Sequence, residues 1–293
     1  AYLSRIWPST RDALRLLLRW RDPATGLPWP ANEDDHLELT STLHGATTVY
    51  AALVAGARGA HAVGDRDTAQ ASLRGARALH EAMTRAYFDP QTGLFRTDPD
   101  AAAPLKVGTG SAAWLVWPAR FLDPEDPRLE AQLAADMADI LRDVRGETEG
   151  GLYVMKNVVS AGLLGRDGGS RDAAREAVLR LADIATPDTL QFGEVFVTTH
   201  PPGASGPVFS ARVAPPHVWE GILFYMSAMA LTAPERFHAE LRELPLPEDA
   251  GYEAAGGGCR EAPTTPLERG APALALTLAA ALVAKRRLAR ARR

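Results

Sequence analysis

An acidic cluster beside a tryptophan is the part of the sequence whose residue types best suit chemistry. Glu33, Asp34 and Asp35 follow Trp29 in a loop that leads into a predicted helix. Acidic residues at a helix N-terminus can simply interact favourably with the helix dipole. A calcium loop would space its acids at alternate positions, unlike these consecutive ones. The remaining interpretation is a catalytic carboxyl next to an aromatic platform for a sugar ring, and spacing alone does not choose between the dipole and catalysis.

Glu194 is a second candidate carboxyl, because it is the only charged residue in the run 190–197. Such a residue is either a strand residue that points to water or a carboxylate held in a cleft. In a cleft, partial desolvation disfavours the charged form and suits the group to proton transfer. The residues themselves leave both interpretations open.

A third group of residues, His217, Trp219 and Glu220, opens a predicted apolar helix. Glu220 in the first turn is explained by the helix dipole. Trp219 fits either a core position or a surface on which a sugar stacks. His217 in this setting is typical of a structural hydrogen-bonding residue.

Residue counts and spacings exclude several kinds of site. A single Cys excludes a disulfide framework and a Cys-based zinc site. The seven histidines show no HExxH spacing, and no serine lies in a Gly-x-Ser-x-Gly elbow. The last nine residues hold six basic side chains, so the remaining chain has 26 basic against 36 acidic residues, about −10 in charge. An acidic body argues against nucleic acid as a partner, and no cofactor is predicted.

Helical periodicity dominates the elements that must position these residues. Helices are predicted from Ser9 or Thr10 to about Trp20, and over 40–63, 67–87, 111–121, 129–144, 171–185 and 217–231. Turn signals at 64–65 and 89–93 separate them. The best strand candidate is the short run 192–197. The pattern predicts an all-α protein of antiparallel helical hairpins with its functional loops at one end.

The end of the chain differs from the rest. Residues 245–270 are rich in Pro, Gly and Glu and contain Cys259, which predicts a flexible linker. The uncharged run 271–284 would be about 21 Å long as a helix, shorter than the ~30 Å hydrocarbon core of a bilayer. The basic cluster 285–293 follows it. One interpretation is an ordinary terminal helix with a solvated basic end. The other is a membrane tether that leaves the body extracytoplasmic, since basic residues favour the cytoplasmic side.

The chain resembles known families in two places. The single Cys after glycines, the apolar run and the closing arginines resemble the MYXO-CTERM sorting tail of bacterial surface proteins, in which the Cys is the processed or lipidated residue. Over about residues 1–235, the chain resembles glycoside hydrolase family 15, the glucoamylase, glucodextranase and trehalase group. The matching stretches are Ile6-Trp7-Pro8-Ser9, the segment 29–64, the Phe-Asp-Pro-Gln-Thr-Gly turn at 88–93, the apolar segment and Asp-Pro turns of 111–127, and Glu194 followed by 207–211 and the helix at His217.

The hydrolase resemblance implies an inverting O-glycosyl hydrolase that removes α-linked glucose units, acting as part of a longer chain. Carried over by position, Glu33 is the general acid and Glu194 the general base, a pair that stands ~6.5–9.5 Å apart in inverting enzymes. The predicted substrate contacts are Trp29, Asp34, Trp117, Lys156, Asn157, His217 and Trp219.

The same resemblance implies a partial (α/α)6 toroid of the six-hairpin glycosidase type. Residues 1–244 would form the C-terminal two-thirds of the family domain, followed by the linker 245–270 and the tail 271–293. Because Ala1 is not an initiator Met, the chain is expected to begin inside a longer gene product or after processing. The expected partners are an oligo- or polysaccharide and, through the tail, a membrane. A non-catalytic carbohydrate-binding or cell-surface toroid protein and a helical-toroid lyase or phosphorylase remain alternatives.

Overall fold

The chain is mostly helical in the computed structural model, which describes residues 2–32, 39–97, 115, 119–147, 155–185, 191–193, 195–212 and 218–236. Within these ranges the helices are α1 (Tyr2–Arg19), α2 (Leu43–Ala62), α3 (Arg66–Tyr87), α4 (Pro127–Val144), α5 (Met155–Leu164), α6 (Ser170–Ile184) and α7 (Val218–Thr232). Antiparallel two-stranded hairpins pair β1 (Ala31–Asn32) with β2 (Leu39–Thr40), β3 (Phe88–Asp89) with β4 (Leu94–Phe95), and β5 (Val195–Thr199) with β6 (Val208–Arg212). The predicted all-α fold class is confirmed at this level.

The hairpin of α2 and α3 turns at Gly64 and Asp65, as the sequence predicts. Gly64 has a φ of +82°, a left-handed conformation that glycine adopts without strain. The Asp65 carboxylate caps α3 by accepting hydrogen bonds from the backbone N–H and the hydroxyl of Thr68, at 3.1 and 2.9 Å. These bonds, led by the one from the Thr68 N–H, lower the pKa of Asp65. The indole Nε1 of Trp7 donates to the same carboxylate at 3.1 Å and so joins α1 to the turn.

Two glycines allow α1 to pack closely against α2 and α3. Leu14 of α1 lies over Gly56 of α2, and Leu18 lies over Gly75 of α3. Each leucine is so close that a Cβ on the facing glycine would overlap it. The three helices therefore form one packed group in which small residues set the distance between helix axes.

The start of α1 differs from the prediction. The sequence predicts a cap at Ser9 or Thr10, whereas the helix begins at Tyr2 and includes Pro8. A proline within a helix removes one backbone hydrogen bond. Trp7 is buried and hydrogen-bonded to Asp65, so the tertiary contacts of this turn offset the loss.

The later helices form a second packed group, in which α4 packs against α6, and α5 packs against α4, α6 and α7. Glu130 of α4 caps the N-terminal end of α6. Its carboxylate accepts from the backbone N–H groups of Arg166 and Ser170, at 3.0 and 3.1 Å, and from the Ser170 hydroxyl at 2.9 Å. These backbone amides have no partner inside a helix, so the carboxylate satisfies them.

The helix α5 is not among the helices predicted from the sequence. Its ten residues, Met155 to Leu164, are mostly apolar and show no regular polar face. Val158, Val159 and Ala161 are fully buried, which explains the lack of an amphipathic period. A short apolar run of this kind does not distinguish a buried helix from a buried strand.

Several predicted parts lie outside the described residues and stay predictions. They are most of the helix 111–121, the domain limit at 244, the linker 245–270 and the tail 271–293. The chain divides into two units, Ala1–Gly251 and Tyr252–Arg293, and every described residue belongs to the first. Among the helices described in that unit, none combines the length and the apolar character needed to cross a membrane.

Candidate functional site

The predicted site residues fall partly within the described structure. Trp29, Asn157 and Trp219 are described with their side chains, and Lys156 only through its backbone in α5. The other predicted residues lie outside the described ranges: Glu33, Asp34, Trp117, Glu194, His217 and Cys259. The chain on either side of both candidate catalytic glutamates is nevertheless described.

The hairpin of β1 and β2 closes the segment that carries the acidic cluster. Asn32 pairs with Leu39, and Ala31 pairs with Thr40. Residues 33–38, here called the acidic segment, therefore connect two positions that face each other across an antiparallel pair. The segment contains Glu33, Asp34, Asp35 and Glu38, so four carboxyl groups belong to one short connection.

Arg21 fixes the chain that leads into this hairpin. Arg21 pairs with Pro28 in an isolated antiparallel bridge. Its Nε and Nη2 donate to the carbonyl of Gly26 at 3.0 and 2.7 Å, and its Nη1 donates to the carbonyl of Gly75 at 3.2 Å. Burial lowers the pKa of this guanidinium from its ordinary value. One half-buried side chain thus ties the loop 22–28 to α3.

Trp29 follows this bridge, with 46% of its surface exposed. Trp20, on the other side of the bridge, is also exposed. An exposed indole has a flat apolar face that can stack against a sugar ring. The predicted platform residue is therefore accessible and lies four residues before Glu33 in sequence.

The chain that leaves the hairpin is tied to the C-terminal end of α3. The hydroxyl of Tyr87, the last residue of α3, donates to the carbonyl of Ser41 at 3.2 Å and lies 3.3 Å from the Ser41 hydroxyl. Thr42 then caps α2, accepting from the N–H of Gly45 at 3.0 Å. The N–H of Leu43 donates to the carbonyl of Thr97 at 2.8 Å. These contacts fix the three residues that follow β2.

The chain on either side of Glu194 is also anchored. Phe192 and Gly193 are buried, and the ring of Phe192 contacts the ring of Phe224 on α7, with centroids 5.1 Å apart. Val195 begins β5 and pairs with Arg212 of β6. Position 194 therefore connects a buried dipeptide to the first residue of a paired strand.

The remaining described site residues lie on two helices of the second group. Asn157 on α5 is fully buried, with 0% of its surface exposed. Trp219 on α7 has 40% of its surface exposed, whereas the next residue, Glu220, is buried at 3%. Because α5 and α7 pack against each other, Asn157 and Trp219 belong to the same packed group. Trp29 belongs to the group of α1–α3.

Asp136 is a buried carboxyl that was not predicted from the sequence. The backbone N–H of Phe95 donates to Gln132 Oε1 at 2.8 Å, and Gln132 Nε2 donates to Asp136 Oδ1 at 3.2 Å. Oδ2 of Asp136 is buried and has no hydrogen-bond partner among the described residues. Burial, which outweighs the Gln132 hydrogen bond, raises the pKa of Asp136 to about 7. The sequence feature that could have indicated this buried carboxyl is the pair Gln132 and Asp136, four residues apart on an otherwise apolar face of α4.

A metal centre has no counterpart in the described ranges, where no three His, Cys, Asp or Glu side chains are grouped so that they could hold an ion. The described chain instead has exposed indoles at Trp29 and Trp219. It also has paired strand residues next to both candidate carboxyls in the sequence. Comparison with known proteins adds no relative: no protein-family model matches this chain, and no curated protein matches it with significance.

Proposed function

We propose that the chain is the larger part of an inverting glycoside hydrolase that removes glucose units from α-linked glucosides. The observation that carries the proposal is that the chain described on both sides of the acidic segment is anchored. Asn32 and Leu39, which flank the segment, pair with each other, and the neighbouring chain is hydrogen-bonded to α3 through Arg21 and Tyr87. A general acid must be held within hydrogen-bond reach of the leaving oxygen, and anchoring on a rigid helix supports such positioning.

Glu33 is the proposed general acid. A general acid must carry its proton at the working pH, and neighbouring negative charges raise the pKa of a carboxyl. Asp34 and Asp35 supply those charges next in the chain. Glu33 then protonates the glycosidic oxygen as the bond to the sugar breaks.

Glu194 is the proposed general base. It stays ionised and removes a proton from a water molecule, which attacks the anomeric carbon from the opposite face of the sugar ring. The buried Phe192 and the pairing of Val195 support a fixed position for this residue. The two carboxyls would stand ~6.5–9.5 Å apart to leave room for the water.

Most of the remaining predicted residues bind the sugar in this proposal. Trp29 and Trp219, both exposed, would stack on sugar rings. The other proposed contacts are Asp34, Trp117, Lys156 and His217. Asn157, with 0% of its surface exposed, is left out of the proposed sugar contacts. The helices would form part of an (α/α)6 toroid, whose loops gather the two glutamates at one face.

Substitution of the two glutamates tests the assignment. In the full-length protein, Glu33→Gln and Glu194→Gln should each lower kcat on maltose, dextran or trehalose by about 10²–10⁴-fold without changing thermal unfolding. Glu125→Gln is the matched control, because Glu125 is exposed in the turn before α4 and should keep wild-type kcat. Full activity in both catalytic variants would contradict the assignment.

The exposed tryptophans also favour a second candidate, a carbohydrate-binding protein without catalysis. Such a protein would quench its tryptophan fluorescence on titration with maltooligosaccharide and release no sugar. Trp29→Ala should weaken that titration, whereas Glu33→Gln should not. Release of glucose by the wild-type protein would exclude this candidate.

We further propose that the C-terminal tail, 271–293, tethers the protein to a bacterial membrane and holds the body at the cell surface. The uncharged run and the closing basic cluster support this proposal, because positive residues favour the cytoplasmic side of a membrane. Cys259, after three glycines, would be the residue that is processed or lipidated.

A further inference from the structure

We infer that the hydroxyl of Tyr87 is a positioning group for the β1–β2 hairpin, whose strands flank the acidic segment in the chain. The side chain lies at the end of α3 with 0% of its surface exposed. Its hydroxyl contacts the carbonyl and the hydroxyl of Ser41, at 3.2 and 3.3 Å. The catalytic part of this inference rests on the proposed role of Glu33, whereas the positioning itself does not.

The hydroxyl of Tyr87 contributes a hydrogen bond that is separate from the packing of its ring. A phenyl ring alone would fill the same buried space, and a buried hydroxyl is unfavourable unless it is hydrogen-bonded. Here the hydroxyl reaches a residue 46 positions away in the chain. The bond therefore joins the last turn of α3 to the chain that leaves the β1–β2 hairpin.

The location of Ser41 makes this bond relevant to the acidic segment. Ser41 follows Thr40, which pairs with Ala31 across the hairpin. On the other side, Arg21 ties the preceding loop to the carbonyl of Gly75. Gly75 and Tyr87 both lie on α3, twelve residues or about 18 Å apart along its axis. Through Arg21 and Tyr87, one helix thus holds the described chain before and after the acidic segment.

Hydrogen exchange of full-length Tyr87→Phe tests the positioning directly. Without the hydroxyl, the chain leaving the hairpin loses this hydrogen bond to α3. Amides in peptides covering 31–42 should then exchange about tenfold faster, while amides within α3 keep their protection. Thr84→Val is the matched control: it removes a hydroxyl from α3 one turn earlier, where the hydroxyl bonds within the helix, to the carbonyl of His80. That variant should exchange like the wild type over 31–42.

Kinetics test the catalytic consequence on the same variants. A small misplacement of a catalytic group can lower the rate by up to about 100-fold. Tyr87→Phe should therefore lower kcat on maltose by about 10- to 100-fold and shift the limb of the pH–rate profile that reports the general acid. KM should change little, and Thr84→Val should leave both unchanged.

The outcomes separate the two levels of the proposal. Wild-type exchange over 31–42 in Tyr87→Phe would overturn the positioning role, whatever the activity. Faster exchange in a protein that hydrolyses no glucoside would support the positioning and count against the hydrolase. Faster exchange with unchanged kcat and pH profile, in an active enzyme, would overturn the catalytic consequence alone.

If Tyr87→Phe fails to fold, Ser41→Ala removes one of the two contacts from the other side and should give a smaller increase in exchange. Wild-type exchange in Ser41→Ala would then overturn the positioning role.

Discussion

At the scale of a single residue, Asp136 is a carboxyl group buried in the interior of the protein, which favours its protonated form. One oxygen accepts a hydrogen bond from Gln132, and the other has no hydrogen-bond partner within the described ranges. The charge of Asp139 on the same helix further disfavours ionisation. A carboxyl with this environment keeps its proton in the folded state at a pH where the unfolded chain has released it.

This environment predicts that stability falls as the pH rises. Burial raises the pKa of Asp136 to about 7, above its value of 3.8 in the unfolded chain. Between these two values the folded state binds more protons, so the free energy of unfolding decreases with increasing pH. Asp136→Asn removes the ionisation. At pH 8 it should be more stable than the wild type by roughly 2–4 kcal/mol, and at pH 4 the two should be similar, as measured by urea unfolding.

A control separates this effect from the general charge of the protein. The side chain of Asp167 is 79% exposed, so Asp167→Asn should keep the pH dependence of the wild type. An Asp136→Asn variant that loses stability between pH 4 and pH 8 as steeply as the wild type would contradict the account of Asp136.

At the scale of helices, the close packing of α1 depends on the glycines that face its large apolar residues. Leu14 covers Gly56 at a distance that leaves no room for a Cβ. Gly56→Ala should therefore displace α1 and lower the free energy of unfolding by about 1–3 kcal/mol. Urea unfolding measures this loss, and α1 should also become the first site of proteolysis.

Gly221 on α7, unlike Gly56, has open space where a Cβ would lie. Of the residues that the structure describes, none lies within 4 Å of the position that its Cβ would occupy. Gly221→Ala should therefore raise the free energy of unfolding by about 0.5–1 kcal/mol, because alanine loses less backbone entropy in a helix. Equal effects of the two substitutions would show that the close packing of Leu14 on Gly56 does not control stability.

The helices were predictable where local residues determine them. Gly64 and Asp65 mark the turn between α2 and α3, and Asp126 caps α4, accepting from the N–H of Arg128 at 2.9 Å. The start of α1 was not predictable, because a contact between Trp7 and Asp65, 58 positions apart, stabilises helix on both sides of Pro8. α5 was missed because burial on all sides removes the amphipathic period.

The candidate site also has features that the local sequence predicts and features that it does not. An exposed Trp29 before an acidic segment follows from residue types and order in the chain. The bonds from Arg21 and Tyr87 do not, because each joins residues about 50 positions apart, and no local pattern reports such a pairing. Roles for Glu33 and Glu194 come from the family resemblance and stay predictions.

At the scale of the whole molecule, the distribution of charge separates the body from the tail. Six basic residues occupy 285–293, and the rest of the chain has about ten more acidic than basic residues. We predict that the full-length protein is recovered with the membrane fraction and that truncation before Cys259 releases it. An Arg-to-Gln replacement of the basic cluster is the matched variant, and it should weaken retention or invert the topology. Equal recovery of the full-length and truncated proteins in the soluble fraction would contradict the tether.

The body itself is proposed to act on α-linked glucosides through two separated glutamates, and the stereochemistry of the product tests this most directly. In an inverting reaction, water attacks the face opposite the leaving group. Proton NMR of the full-length protein with maltose, recorded before mutarotation, should therefore show newly released glucose with more β anomer than the equilibrium mixture contains. If the released glucose instead has an excess of the α anomer, the anomer is retained and the proposed acid and base pair is contradicted.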